Sequence, residues 1–171
     1  RAAGRGGFTT ICTMANTVPV VVSRAIVEYI AQESRRVSLV NILPYASVTM
    51  GLKGETLTEM GDLKKAGAAG FSDDGESIMN AGVMRRALEY TRWTKLPIIA
   101  HCEESSLSGG VVHEGKTALR LGLAGIPSEA ETIMMARDLL LAEATGWRLH
   151  VAHVSTARGV DLIRQAKARG V

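Results

Sequence analysis

The chain of 171 residues is long enough to bury one ordinary hydrophobic core, and 46% hydrophobic with 22% charged residues is typical of a soluble globular protein. Its net charge of +3 comes from scattered basic residues, without the Lys/Arg run of a nucleic-acid or membrane surface. There is no apolar run of about 18 residues that would span a membrane, and Cys12 and Cys102 suit a reducing cytoplasm better than a disulfide scaffold. We therefore expect a cytoplasmic protein with neither a nucleic-acid nor a membrane partner.

Strand and helix signals alternate along the sequence. Short β-branched or apolar runs bounded by turn residues predict the strands, and apolar stripes with helical spacing predict the helices. In chain order these are strand Phe8–Met14, helix Ser23–Arg36, strand Ser38–Val48, helix Thr56–Lys65, strand Ala68–Ser72, helix Asn80–Thr94, strand Pro97–His101, a short helix Lys116–Leu121, helix Ser128–Ala144, strand Arg148–Val154 and helix Ser155–Arg169.

Two of the predicted helices begin with a recognisable signature. Thr56-Leu-Thr-Glu59 and Ser128-Glu-Ala-Glu131 are each typical of a capping box, in which a hydroxyl residue and a glutamate three positions later bind each other's backbone N–H groups. Gly67, Gly146 and Gly170 follow predicted helix ends as stop signals. Because the first residues read as the end of a helix and the last as the start of a strand, we expect a piece of a longer chain.

Five strand–helix units, with strands too apolar to have one solvated face, predict a parallel sheet covered by helices. Two architectures meet this description: an open doubly wound sheet, and a (β/α)8 barrel, which takes about 250 residues when complete. The dinucleotide fingerprint GxGxxG does not follow the first strand, since the glycine-rich GRGGFTT precedes it. The pattern therefore favours an α/β fold that is an internal segment of a (β/α)8 TIM-like barrel.

Polar residues stand at the carboxyl ends of four predicted strands, namely Asn16, the pair Asp73–Asp74, His101 and His153. These ends meet at one rim in a parallel barrel, so two imidazoles, one or two carboxylates and an amide are expected to face one cavity. This donor set suits Zn²⁺ or a similar divalent ion, which lowers the pKa of bound water to about 7 and polarises carbonyl groups. The sequence thus predicts a hydrolytic metal site.

Each of these residues also has an ordinary structural interpretation. A lone strand-end histidine such as His101 is more often a core residue bonded to the backbone, and Asp74 in a DDG turn is common turn chemistry. Their occurrence together with His153 at three separate strand ends favours the metal site over these alternatives.

The neighbouring polar residues receive no metal role. Cys102 directly follows His101 and is expected to be a small buried hydrophobe, while Glu103 and Glu104 begin the next loop. His113 is expected in a loop. His150 lies three residues before His153, so we expect it on the opposite side of the strand, packed against helices.

The same residues lie in motifs that resemble one family. ANT at Ala15–Thr17, FSDDG, LPIIAHCEE, HEGKTALRLGLAGIPSEAE and RLHVAHVST are similar to the motifs of bacterial dihydroorotases, cyclic amidohydrolases of the amidohydrolase superfamily. FSDDG, AHCE and HVST recur in order with matching intervals, 27 residues from Asp74 to His101 and 52 from His101 to His153. The resemblance covers essentially the whole chain.

This resemblance implies a barrel that holds one or two zinc ions and interconverts (S)-dihydroorotate and N-carbamoyl-L-aspartate in de novo pyrimidine (UMP) biosynthesis. It implies that His101 and His153 are metal ligands, that Asp74 is both a bridging ligand and a catalytic residue, and that Asn16 binds the substrate carboxylate. Ala15 replaces the proline of the family's usual PNT, which removes a backbone restraint beside Asn16.

By the same resemblance, residues 1–171 are part of one amidohydrolase barrel domain. The family's first-strand His-x-His, with its substrate-binding arginine, is expected before Arg1, and its last-strand aspartate, a metal ligand and general base, after Val171. The implied partners are the small-molecule substrate and either a second copy in a homodimer or aspartate transcarbamoylase.

Two alternatives to a dihydroorotase stay open. One is a related cyclic amidohydrolase, a dihydropyrimidinase (hydantoinase) or an allantoinase, which typically carries a carboxylated lysine where this chain has Asp74. The other is a non-catalytic scaffold of aspartate transcarbamoylase, which tends to lose the metal ligands.

Overall fold

The computed structural model describes residues 1–37 and 39–171. The strands in these ranges are β1 (Thr10–Thr13), β2 (Asn41–Ala46), β3 (Gly70–Ser72), β4 (Ile98–Ala100), β5 (Val112–His113), β6 (Gly125–Ile126) and β7 (Leu149–Val151). The α-helices are α1 (Ala2–Arg5), α2 (Arg24–Val37), α3 (Met60–Lys65), α4 (Ala81–Thr94), α5 (Lys116–Leu121), α6 (Glu129–Thr145) and α7 (Ala157–Ala168). Within these ranges no helix is long and apolar enough to cross a bilayer. The first residue of the predicted strand Ser38–Val48 lies outside the described residues.

Five strands form one parallel sheet whose order follows the chain. The order is β1-β2-β3-β4-β7, and each neighbouring pair is parallel. A doubly wound sheet reverses direction at a switch point, whereas the strands of a barrel add one after another in the same direction. The sequential order therefore favours the barrel over the open sheet. β5 and β6 form a separate two-stranded parallel ribbon that sequence analysis did not anticipate.

The central strands of the sheet are buried and its edges are not. All residues of β3 and β4 are buried, and Phe71 pairs in register with Ile98. Each of these strands has a neighbour on both sides and helices over one face. β1 is an edge of the described sheet, and its residues Thr10 and Cys12 are exposed. The prediction of a buried first strand over Phe8–Met14 is therefore wrong for these two residues and for Phe8 and Thr9, which are exposed as well.

The helix predicted from Thr56 begins only at Met60, because the preceding residues pair with the segment after β2. The Met50 N–H donates to the Thr56 carbonyl oxygen at 2.8 Å, and the Thr58 N–H donates to that of Val48 at 3.0 Å. The Thr58 hydroxyl donates to the Ser47 carbonyl oxygen at 2.7 Å, which also holds this segment against the residues after β2 rather than in the helix. The first predicted capping box is wrong, although its helix ends at Lys65 as expected.

The second predicted capping box also fails as a cap, although its helix is correct. α6 starts at Glu129 and ends at Thr145, and Gly146 follows it in the left-handed conformation, with φ of 63°. The Ser128 side chain accepts no capping hydrogen bond from a backbone N–H of the helix. Glu131 instead binds the segment that follows β7.

Gly159 allows α7 to lie close against α6. A Cβ atom at this position would lie 2.8 Å from Met135 Sδ and 2.8 Å from Thr156 Oγ1. Met135 is fully buried, so its side chain has little room to move away.

We expect Gly159→Ala to lower the free energy of unfolding by about 1–3 kcal/mol, because overpacking outweighs the improved helix propensity. Urea unfolding measures this, with Gly109→Ala as the matched control, since a Cβ atom at Gly109 meets no atom within 4 Å. A Gly159→Ala protein as stable as the wild type would contradict the close α6–α7 contact.

Candidate metal centre

Three side chains from three neighbouring strand ends converge on one point. Asp74 follows β3, His101 follows β4 and His153 follows β7. Asp74 Oδ1 lies 2.8 Å from His153 Nε2 and 3.2 Å from His101 Nδ1, and these two ring nitrogens are 3.1 Å apart. The predicted set Asp74, His101 and His153 is thus brought together, and it is the one cluster of potential metal ligands among residues 1–37 and 39–171.

Glu103 fixes the orientation of the His101 ring. Its Oε2 lies 2.8 Å from His101 Nε2, and this hydrogen bond lowers the pKa of Glu103, which favours the ionised acceptor. An ionised carboxylate can only accept, so the His101 proton is assigned to Nε2. The lone pair on Nδ1 then faces Asp74 and His153. Sequence analysis missed this role of Glu103, although carboxylate–histidine pairs are a common support of metal ligands.

The chemistry of this cluster fits a divalent metal ion. Imidazole nitrogens and carboxylate oxygens bind Zn²⁺ at about 2.0–2.2 Å, so two such ligands on one ion lie roughly 3 Å apart. The three separations of 2.8, 3.1 and 3.2 Å agree with that spacing. Two nitrogens and a carboxylate oxygen at these distances require a proton or a cation between them, because their lone pairs otherwise repel.

The two aspartates of the DDG turn have different roles. Asp73 is 3% exposed, and its carboxylate accepts hydrogen bonds from the N–H groups of Val48, at 2.7 Å, and Thr49, at 3.1 Å, and from the Thr49 hydroxyl. Burial raises the pKa of Asp73, and these hydrogen bonds oppose that shift. Asp73 therefore ties the end of β3 to the end of β2, which leaves Asp74 directed at the histidines.

His153 reaches the cluster because its backbone departs from the strand conformation. His150 pairs in register with Ile99, so alternation puts His150 on the same face as Ile99 and His101. Regular alternation would turn His153 to the opposite face, but its φ of 34° lies in the left-handed region. The last hydrogen bond between this strand and β4 runs from the Ala152 N–H to the Ala100 carbonyl oxygen, at 3.0 Å. His150 itself is exposed, so its predicted packing against helices is wrong.

A cavity of about 260 Å³ adjoins the two histidines. Its lining includes His101, Glu103, His153 and Glu131, together with His113 on the β5–β6 ribbon. His113, expected in a loop, therefore stands close to the candidate centre. The ribbon covers one side of the cavity, which gives a small molecule a recess next to the metal ligands.

Asn16 is not brought into this cluster. It is exposed and follows β1, two strands away from β3 in the sheet order. It follows the carboxyl end of its strand, at the same edge of the sheet as the other predicted site residues, but it is not among the residues that line the cavity. Its neighbour Ala15 is fully buried, and the Ala15 carbonyl oxygen accepts a hydrogen bond from Val21 N–H at 3.0 Å. The substrate-binding role of Asn16 stays a prediction.

Cys102 faces away from the metal ligands, as expected. It is buried, and its Sγ lies 3.8 Å from Oδ2 of Asp138 on α6. Burial raises the pKa of the Cys102 thiol far above its usual range, so it does not supply a thiolate ligand. Burial also raises the pKa of Asp138 to about 6, although Arg137 donates a hydrogen bond to it at 2.8 Å.

Comparison with known proteins identifies close relatives. A family model described as dihydro-orotase-like matches residues 1–159. A dihydroorotase from Pelotomaculum thermopropionicum is 55% identical over 172 residues, which cover 100% of this chain and 40% of the relative. A dihydroorotase from Caldanaerobacter subterraneus subsp. tengcongensis is 50% identical, over 99% of this chain and 40% of the relative. The chain therefore spans about 40% of the length of these relatives.

Solved structures agree with the predicted fold. The L-hydantoinase (dihydropyrimidinase) from Arthrobacter aurescens matches with a TM-score of 0.78 at 24% identity, over 99% of this chain and 39% of that one. A D-hydantoinase (dihydropyrimidinase) from a Thermus species matches with a TM-score of 0.67 at 24% identity, over 99% and 39% of the two chains. With the sequential parallel sheet, these matches confirm the prediction of a segment of a (β/α)8 TIM-like barrel.

We expect mutations of the two adjacent aspartates to have different effects, on stability at Asp73 and on zinc binding at Asp74. Asp73→Asn should lower the free energy of unfolding by about 1–3 kcal/mol, because in either orientation the amide NH₂ replaces an oxygen that accepts the Thr49 N–H. Asp74→Asn should leave that stability within about 0.5 kcal/mol but weaken zinc binding. Urea unfolding of the metal-free protein and zinc competition with a chelator measure the two effects. If both variants lost stability and zinc affinity alike, the division of roles would be wrong.

Proposed function

Because the chain belongs to the dihydro-orotase-like family, we propose that it carries the metal-binding strand ends of a zinc-dependent dihydroorotase. The full-length protein would then interconvert (S)-dihydroorotate and N-carbamoyl-L-aspartate in de novo pyrimidine biosynthesis. The observation that carries this proposal is the convergence of Asp74 Oδ1, His101 Nδ1 and His153 Nε2 within 3.2 Å. We also propose that residues 1–171 belong to one barrel domain, whose remaining strands lie in the rest of the protein.

A divalent metal bound here would lower the pKa of water and polarise the carbonyl group of a cyclic amide. Asp74, His101 and His153 would hold it, and the two oxygens of Asp74 suit a carboxylate that bridges two ions. Glu103 would keep the His101 proton on Nε2, so that Nδ1 remains a ligand. In this proposal zinc is the metal, since two imidazoles and a carboxylate are typical zinc ligands.

The cavity beside the histidines is the proposed binding site for the ring of the substrate. A recess between the β5–β6 ribbon and the strand ends limits the access of bulk water to a small substrate. Asn16 is proposed to bind the substrate carboxylate through its side-chain amide. A homodimer and a complex with aspartate transcarbamoylase remain predictions from the family resemblance, and a cytoplasmic location remains a prediction from the composition and the two cysteines.

The residue at position 74 disfavours a hydantoinase or allantoinase, although the solved structures cited above are hydantoinases. Those matches are at or below 24% identity and support the fold alone. A carboxylated lysine is the typical bridging ligand of hydantoinases, and the cluster here contains Asp74 instead. A non-catalytic scaffold is disfavoured because all three ligands are present.

We expect His101→Ala in the full-length protein to reduce kcat/KM for dihydroorotate by about 10³-fold or more, since loss of a metal ligand removes several kcal/mol of transition-state stabilisation. Hydrolysis is measured together with the zinc content of the purified protein. Chelation should inactivate the wild type, and added zinc should restore it. Undiminished turnover by His101→Ala would contradict the proposal.

The same assay separates the alternative functions. Hydrolysis of hydantoin or allantoin in preference to dihydroorotate would identify the related cyclic amidohydrolases. A wild-type protein that neither binds zinc nor turns over any of the three substrates would support the scaffold. The proposal requires zinc binding and a preference for dihydroorotate.

A further inference from the structure

Glu131 ties α6 to the segment that carries His153. One carboxylate oxygen accepts the Ser155 N–H at 2.7 Å, and the other accepts the Thr156 N–H at 2.9 Å and the Thr156 hydroxyl at 2.5 Å. Hydrogen bonds to an ionised carboxylate are among the stronger ones in proteins. A single side chain thus holds two consecutive backbone N–H groups only two and three residues after His153.

His153 needs such support because its ring contacts with Asp74 and His101 are those that a metal ion would replace, and its backbone is strained. Its side chain is 56% exposed, and a left-handed φ in a residue other than glycine costs of order 1–3 kcal/mol unless its surroundings hold it. The segment leaves the sheet after Ala152, whose N–H makes the last sheet bond. At its other end Thr156 caps α7 by accepting the Gly159 N–H at 3.0 Å. Between Ala152 and α7, the hydrogen bonds of Glu131 to Ser155 and Thr156 hold the segment against α6.

The first turn of α6 also fixes the segment that carries the other histidine. The Glu104 N–H donates to the carbonyl oxygen of Ala130 at 2.7 Å. Ala130 is buried and adjoins Glu131, so the segments after β4 and after β7 are both bound to one turn of one helix. The separation of His101 Nδ1 and His153 Nε2, 3.1 Å, therefore depends on two neighbouring residues of α6.

We propose that Glu131 is a positioning residue: by binding Ser155 and Thr156 it holds His153 in the left-handed conformation that lets Nε2 share a metal ion with Asp74 and His101. The inference rests on the metal site of the proposed function, and it adds a residue whose two carboxylate oxygens bind Ser155 and Thr156 rather than the metal.

The test is the zinc affinity of Glu131→Gln in the full-length protein. Glutamine keeps the size of the side chain but replaces one acceptor oxygen with an NH₂ donor, so one of the two backbone N–H groups loses its partner. We expect the dissociation constant for zinc to rise about 10- to 100-fold, as for other residues that orient metal ligands. The visible spectrum of the Co²⁺-substituted protein should change as well, because His153 no longer keeps one position.

Glu129→Gln is the matched control, because Glu129 lies in the same first turn of α6 and is exposed. Among the residues that the structure describes, its side chain hydrogen-bonds only to the Ser128 hydroxyl, at 3.3 Å. Its zinc affinity and Co²⁺ spectrum should equal those of the wild type. A Glu131→Gln protein that melts at a lower temperature but keeps wild-type zinc affinity and Co²⁺ spectrum would overturn the inference.

If Glu131→Gln does not fold, Thr156→Val and Thr156→Ser provide a second test. Thr156→Val removes the hydroxyl that donates to Glu131 and caps α7, whereas Thr156→Ser keeps it. Thr156→Val should therefore weaken zinc binding more than Thr156→Ser. Equal affinities of these two variants would overturn the inference.

His153→Ala distinguishes this inference from the proposed function itself. If His153→Ala binds zinc as tightly as the wild type, the metal site is wrong. If His153→Ala loses zinc while Glu131→Gln retains it fully, the metal site stands and the positioning role of Glu131 fails.

Discussion

The parallel register of β3, β4 and β7 is the constraint on which the candidate centre depends. Since these strands are neighbours and run in the same direction, their carboxyl ends lie side by side, and the residues that follow each strand meet above the sheet. Residues 27 and 52 positions apart in sequence, from Asp74 to His101 and from His101 to His153, thereby come within hydrogen-bonding distance. The buried central strands make this arrangement rigid, because Phe71 and Ile98 anchor them against the helices.

Around this constraint, carboxylates outside the cluster hold the converging groups in place. Asp73 binds the end of β2, Glu103 orients the His101 ring, and Glu131 holds the segment after His153. Each of these carboxylates is matched to N–H or hydroxyl donors that would otherwise be unsatisfied at the ends of strands. The sequence places two acidic residues at DDG and two at CEE, and in each pair the structure gives the two members different partners.

Sequence reasoning predicted most of the architecture, because periodicity and turn residues report local structure directly. The elements, the barrel-type fold and the meeting of Asp74, His101 and His153 follow from which residues stand at strand ends. Besides the β5–β6 ribbon, the exposed first strand and the exposed His150, three features of the site and its supports escaped it. The capping boxes at Thr56 and Ser128 failed because residues of both motifs had tertiary partners, which a local motif does not reveal: the Thr56 carbonyl oxygen accepts the Met50 N–H, and the Glu131 carboxylate binds Thr156. Strand alternation put His153 on the face opposite His150 and His101, and the left-handed φ that instead turns its ring into the cluster has no sequence signal in a residue other than glycine. The role of Glu103 was not predicted, because it depends on the orientation of the His101 ring, which the sequence does not show.

The central claim is that one metal ion is shared by Asp74, His101 and His153, with Glu103 supporting His101 from behind. Anomalous diffraction at the zinc absorption edge, from crystals of the zinc-loaded full-length protein, tests it most directly. The account predicts an anomalous peak about 2.0–2.2 Å from an Asp74 carboxylate oxygen, His101 Nδ1 and His153 Nε2, with His101 Nε2 still bonded to Glu103. Zinc bound elsewhere, or bound to His101 through Nε2 with Glu103 displaced, would contradict it.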